Sequence, residues 1–477
     1  MKKLFSTIFA TLLSLSLILT GFTFTAQADD LISADDTVIN KNARFADDSI
    51  LVLLTREASL KFKAYTVDDF AEIGCKTVSD LSTSAGAKTQ KALNEAVVAF
   101  SSNEEPIFSG LSERHREIVS NYKQILCLKL NEPSKENVLA AIERLKERAD
   151  VLTAEPDYIL TFDGTSTQTQ ENNSSSATRD IGAQNAWAYD LIQMDDAYGL
   201  LTEVSSVYVG VIDSGIDGDH PLLQSTIEVS LCRDFSSGSA VATGTPTDPV
   251  GHGTQVAGII AAQLGGTSPV YSICPMARLV SLKICDTRNE PIASAAISAI
   301  NYADQVGIDV LNASFGFDTL DTQPSILFQQ AILGYDGVYV CSAGNELKNI
   351  DTYHRWPACY TCTNMIVVGA SNQSDQRWSE GTAGSNCGLL SVDVFAPGVS
   401  MHTTADGGLV TSANGTSFAA PVVTGVVAVI LAQFPNADAS DVRNAIINYA
   451  TTVTGLEGLC VSGGRINAYR ALRSLFD

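Results

Sequence analysis

Three short segments hold the residue types that nucleophilic hydrolysis needs: a carboxylate at Asp213 in VGVIDSGID, an imidazole at His252 in GHGTQVAG and a hydroxyl at Ser417 in NGTSFAAPVVTG. A hydroxyl becomes a nucleophile when a neighbouring base takes its proton, and a third group, commonly a carboxylate, orients that base. Asp, His and Ser would supply orienter, base and nucleophile. Each segment also has a plainer reading. Asp213-Ser214-Gly215 is an ordinary turn sequence, a single His is more often structural than catalytic, and Ser417 could simply cap a helix. The surroundings favour chemistry. Gly251 and Gly253 let other groups approach the His252 ring closely. Gly415 and Ala419 leave room around Ser417, which opens a long apolar run where a helix N-terminus would offer backbone N–H groups to a developing oxyanion. His220, His354 and His402 have no comparable setting. Two other hydrolase classes fit less well. An aspartic protease needs two Asp-Thr/Ser-Gly turns where this chain has one copy, and an α/β-hydrolase esterase needs a Gly-x-Ser-x-Gly elbow that is absent.

In open parallel sheets, functional groups collect just beyond the carboxyl ends of the strands. SVYVGVI runs straight into Asp213, and ARLVSLKI, IDVLNAS, VYVCSA and MIVVGA are further apolar runs separated by helical stretches such as PIASAAISAINYADQV. This alternation predicts an α/β domain over 181–477, a doubly wound, mainly parallel sheet with helices on both faces. The Ser417 helix is expected to run to Phe434, where Pro435 stops it. Residues 29–161 read as a small α+β domain with strands at SILVLL (49–54), QILCLKL (124–130) and VLTAEPDYIL. Its helix is capped by Ser134 and sets Val138, Leu139, Ile142 and Leu145 on one face. A long, partly helical insertion with Cys75 and His115 separates the first two strands. Residues 162–180, rich in Ser, Thr and Asn, predict a flexible linker open to nicking.

The 477 residues are 45% hydrophobic and 17% charged, which fits a soluble globular protein of roughly two or three domains. A net charge of -23 argues against nucleic acid or an anionic membrane as partner, because both reward basic patches. Residues 1–28 have the layout of a bacterial-type secretory signal: Lys2 and Lys3, an apolar core, then Ala26-Gln27-Ala28 as cleavage site. An uncleaved membrane anchor is the alternative, and the Ala-x-Ala site favours removal near Asp29. No second apolar segment is long and uninterrupted enough to span a bilayer. Ten cysteines in an exported chain permit disulfides whose pairing the spacing does not fix, while Cys285 and Cys341, at the ends of apolar runs, read as buried thiols. Cys359-x-x-Cys362 lacks the second ligand pair of a zinc site, so no metal residue is expected.

The segments around Asp213, His252 and Ser417 resemble those of the subtilisin-like serine proteases (subtilases, peptidase S8 family), in the family's own order along the chain. DVLNASFG, CSAGNE, IVVGASN, VFAPG and GRINAYRAL extend the similarity from about Ala186 to Leu472. The resemblance implies a subtilisin-like fold and a secreted serine endopeptidase, with Ser417 attacking the peptide carbonyl, His252 moving the proton and Asp213 orienting the ring. It implies Asn345 as the oxyanion donor, Ser314, Phe315 and Gly316 as the edge that pairs with a peptide substrate, and Ser342, Ala343 and Gly344 as a wall of the pocket for the residue before the cut. Phe418 stands where the family most often has Met, and Phe315 and Phe317 look bulky for a substrate edge. QLGGTSPVYSICPMA lacks the Asn-rich calcium loop of many relatives, so no cofactor is required and structural calcium stays open without a place. The N-terminal domain, most clearly at VLTAEPDY, is similar to subtilase propeptides, which implies an intramolecular inhibitor removed by self-cleavage between about Tyr158 and Asp180. A permanent accessory domain and a peptide-binding pseudoprotease are the competing readings.

Overall fold

The computed structural model describes residues 39, 43–59, 61, 63–82, 123–164, 185–237, 240–263, 270, 272–317 and 324–476. The signal segment 1–28, His115 with most of the insertion, and 165–180 of the expected linker lie outside the described residues. The N-terminal module is a four-stranded antiparallel sheet, β1 (Phe45–Leu54), β2 (Cys75–Asp80), β3 (Ile125–Leu130) and β4 (Val151–Tyr158), in the order β2-β3-β1-β4. Strand β2 corrects the reading of the insertion as a connection: CKTVSD is half exposed and carries too few apolar residues to declare itself. Helix α1 (Lys135–Lys146) packs on β1 and β4, and Ser134 Oγ accepts its Asn137 N–H at 3.0 Å. Val138, Ile142 and Leu145 are buried as the spacing predicts, each contributing about 1.5–3 kcal/mol, and Ala141 takes the place expected for the half-buried Leu139.

A short strand, β5 (Leu160–Phe162), follows β4. Beyond it the apolar runs become β6 (Tyr208–Asp213), β7 (Arg278–Lys283), β8 (Val310–Ala313), β9 (Phe315–Phe317), β10 (Val338–Ser342), β11 (Met365–Ser371) and β12 (Val394–Pro397). Six of them pair in parallel in the order β12-β11-β10-β8-β6-β7, the centre of a ten-stranded sheet whose short outer strands include antiparallel pairs. Helices α2 (His252–Ala261), α3 (Ala293–Val306), α4 (Ile326–Gly334) and α5 (Thr416–Gln433) supply the cover that such strands need, α2 packing on α5 and α3 on α4. Helix α5 alone among the described residues is long and apolar enough to cross a membrane. Its apolar window is 94% buried in the protein, so its composition reflects the core. Pro421 has no N–H for the Ser417 carbonyl one turn back; Ser314 Oγ donates to that carbonyl instead, at 3.0 Å. The ten cysteines are all free thiols, nine buried and Cys359 partly exposed.

The module sits against the ends of α3 and α4. Asp157 of β4 accepts hydrogen bonds from Ser294 N–H (2.9 Å) and Ser294 Oγ (2.6 Å) in the first turn of α3, and Glu155 accepts one from Ser325 Oγ, the cap of α4. Helix N-termini favour such carboxylates. Burial works against their charge, raising Asp157 and pushing Glu155 up to about 8.

Candidate active site

Strand β6 delivers Asp213 at its carboxyl end, fully buried, and α2 begins at His252. Asp248 holds the turn between them. Its Oδ1 accepts the N–H groups of Val250 (3.1 Å) and Gly251 (2.8 Å), and its Oδ2 accepts Thr254 N–H (2.8 Å) and Oγ1–H (2.7 Å). His252 Nδ1 lies 2.8 Å from Asp213 Oδ1, which also accepts the Ser214 N–H at 2.7 Å. A carboxylate can only accept, so the proton sits on Nδ1, and Nε2 keeps a lone pair that can take a proton. Burial alone would lower the His252 pKa. The Asp213 charge and hydrogen bond outweigh it, helped by Asp248 and Asp163, and the net direction is upward.

Ser417 stands in the first turn of α5. Its Oγ and His252 Nε2 are both buried and make no hydrogen bond, yet they converge: a Cβ on Gly164 would lie 2.9 Å from the former and 2.8 Å from the latter. The residue before Gly164 is equally engaged. The carbonyl oxygen of Asp163 accepts Asn345 Nδ2–H at 2.8 Å and Ser417 N–H at 3.2 Å, the two donors an oxyanion would meet. Thr416 N–H and Oγ1–H both donate to Asn345 Oδ1, at 3.0 and 2.8 Å, which turns the amide nitrogen toward that carbonyl. Gly415 has φ 149°, a conformation L side chains rarely adopt, and a Cβ there would stand 3.1 Å from the same carbonyl oxygen.

Chain entry into this centre is by strand addition. Strand β5 pairs antiparallel with β9, Phe162 opposite Phe315, Thr161 opposite Gly316 and Leu160 opposite Phe317. Asp163 N–H continues the ladder to the Ser314 carbonyl at 2.9 Å, and on the other side Leu160 N–H donates to the Pro291 carbonyl at 2.8 Å. The expected bulk of Phe315 and Phe317 does not obstruct this edge, because both rings are buried against Phe328 of α4. Phe162 stacks on the His252 ring at 5.1 Å, and Phe418 meets the same ring at 5.8 Å. Ser342, Ala343 and Gly344 line the place taken by the Asp163 side chain: Ser342 Oγ donates to Asp163 Oδ2 at 2.7 Å, Ala343 is fully buried, and Gly344 lies against Arg355.

The structure thus brings Asp213, His252, Ser417, Asn345, Ser314, Phe315, Gly316, Ser342, Ala343 and Gly344 to one cleft. Sequence reasoning missed Asp248, Asp163 and Arg355. Asp248 lies three residues before Gly251, the residue at the start of α2, so it carried no capping signature, and its reach to Thr254 is set by the folded turn. Arg355 lay in DTYHRWPACYTC, a loop without pattern, and Asp163 in a segment read as linker, although Phe162 ends a strand. Among the described residues no group of three His, Cys, Asp or Glu side chains could hold a metal ion.

Residues 205–463 match the model of the subtilase family. Subtilisin DY of Bacillus licheniformis is 33% identical over 265 residues, 55% of this chain and 90% of that protein. The thermophilic serine proteinase of Bacillus sp. (strain AK1) is 30% identical over 433 residues, 88% of this chain and 98% of its own, a match reaching well outside the family segment. Among solved structures, fervidolysin of Fervidobacterium pennivorans, a keratinolytic enzyme related to subtilisin, aligns with a TM-score of 0.62 at 22% identity, over 91% of this chain and 62% of that one. At that identity the likeness concerns the fold.

Proposed function

Because this chain belongs to the subtilase family and is a serine endopeptidase, we propose that it is made as an exported precursor that inhibits and then matures itself. Residues 29–163 form the propeptide, and Asp163–Gly164 is the first bond cut. The observation that carries this reading is the Asp163 carbonyl oxygen, held by Asn345 Nδ2–H and Ser417 N–H while Ser417 Oγ and His252 Nε2 converge beside Gly164.

The chemistry follows from these positions. Ser417 Oγ attacks the Asp163 carbonyl carbon as its proton passes to His252 Nε2, and the negative charge on the carbonyl oxygen is met by the two donors already on it. Asp213 stabilises the imidazolium. The carbon–nitrogen bond to Gly164 then breaks, His252 returns the proton to the leaving amine, and water activated by the same Nε2 hydrolyses the Ser417 ester. Asp163 is left as a new C-terminal carboxylate, and the module still paired to β9 blocks the cleft as a bound product. Protein and peptide substrates would enter the same way, adding a strand to Ser314-Phe315-Gly316. Export rests on the layout of residues 1–28, and no nucleic acid, membrane or catalytic metal has a part.

Intact-mass analysis of the full chain produced in an exporting bacterial host tests this. Wild type should yield a fragment ending at Asp163 and a mature chain beginning at Gly164 that hydrolyses casein, whereas Ser417→Ala should lose only the signal segment. Cutting of the Ser417→Ala chain at the same bond during purification would assign maturation to another protease.

A further inference from the structure

The pocket occupied by the Asp163 side chain has a chemistry of its own. The carboxylate is 4% exposed, and each of its oxygens has a donor: Ser342 Oγ on Oδ2 at 2.7 Å and the Arg355 guanidinium on Oδ1. Arg355 is itself buried. Its Nη1 donates to the Phe317 carbonyl at 2.6 Å and lies 3.5 Å from Glu346, which Asn386 Nδ2 also holds at 2.6 Å. Two glycines admit the guanidinium: a Cβ on Gly316 or Gly344 would stand 2.8 Å from its atoms. The Arg355 fork is therefore built into the base of the pocket from both walls, with Glu346 on one side and the incoming side chain on the other.

We infer that Arg355 makes this enzyme selective for an acidic residue, aspartate or glutamate, immediately before the cut bond. The inference rests on the reading of Asp163–Gly164 as the first scissile bond. A carboxylate in this pocket gains a charge-assisted pair shielded from water. A neutral side chain costs the guanidinium the acceptor on Nη2, although Glu346 and the Phe317 carbonyl stay on Nη1, and costs the Ser342 hydroxyl its acceptor, while a lysine sets a second cation against Arg355. Sites built around such a pair discriminate against analogues lacking it by about 10²-fold or more.

The test uses the self-matured enzyme and fluorogenic peptides carrying Leu-Thr-Phe-X-Gly, where X is Asp, Glu, Asn, Ala, Phe or Lys. The expected result is a kcat/KM for Asp and Glu at least about 100-fold above the other four. Arg355→Ala should bring Asp down toward Ala without a matching loss on Ala and Phe, a change of ratio that general destabilisation does not produce. Should that variant misfold, Asp163→Lys in the otherwise wild-type precursor leaves the pocket intact, and self-cleavage by intact mass should slow by about 100-fold. Cleavage of the Ala, Phe or Lys peptide within tenfold of Asp overturns the acidic pocket while leaving the peptidase reading in place. Failure to cleave any peptide, with Ser417 unreactive toward a serine-directed fluorophosphonate, removes both readings.

Discussion

At the scale of single residues, proton chemistry and charge stabilisation fall to different groups. Asn345 Nδ2 donates to the Asp163 carbonyl oxygen while Thr416 holds its Oδ1. Asn345→Ala should therefore lower kcat by about 10²- to 10³-fold, the magnitude known for a lost oxyanion donor in a subtilisin, without moving the pH profile. The acid limb of that profile belongs to His252. With the module in the cleft, burial lowers its pKa and Asp213, Asp248 and Asp163 raise it by more, so self-cleavage should be lost as pH falls through a midpoint above the usual value for histidine, about 6.5, in wild type and variant alike. A pH-rate series on both enzymes checks this, and a shifted limb in Asn345→Ala would contradict the division of roles. These residues were legible because each lies in a contiguous segment whose glycines and small side chains announce crowding around one reactive atom. Arg355 and Asp163 were not, since their meaning arises from an encounter 192 positions apart in the chain.

At the scale of elements, the alternation of apolar runs revealed the parallel sheet, because strands covered on both faces must be apolar throughout. The half-exposed β2 had no such constraint, nor did β5, whose order comes from pairing with β9. The seat of β4 on α3 and α4 has a consequence in solution. Glu155 titrates near 8 in its buried place against an ordinary 4.5, so binding the module takes up a proton between those values. The contribution is complete below about 4.5 and is lost as pH rises through about 8. Inhibition of the mature enzyme by the released fragment should weaken by up to tenfold per pH unit between about 5 and 8, and Glu155→Gln should flatten that slope. Equal slopes for the two fragments, read from Ki at several pH values, would assign the effect elsewhere.

At the scale of the whole molecule, the N-terminal module, the strand that follows it and the catalytic centre belong to one contiguous unit, residues 39–477. Since the Asp163–Gly164 bond lies in the chain's own cleft, self-cleavage as proposed there should have a first-order rate unchanged on about 100-fold dilution. Intact mass against time at several concentrations measures it, and a rate that falls with dilution would mean that one molecule cuts another. The Asp163–Arg355 pair carries a further implication for heredity. Lock and key are written into a single reading frame, so an inherited change in the pocket meets its first trial on the very polypeptide that bears it. A lineage drifting toward another preference would slow the maturation of its own precursors unless position 163 moved with position 355, so the proposed pairing favours matched double changes as the route to new specificities.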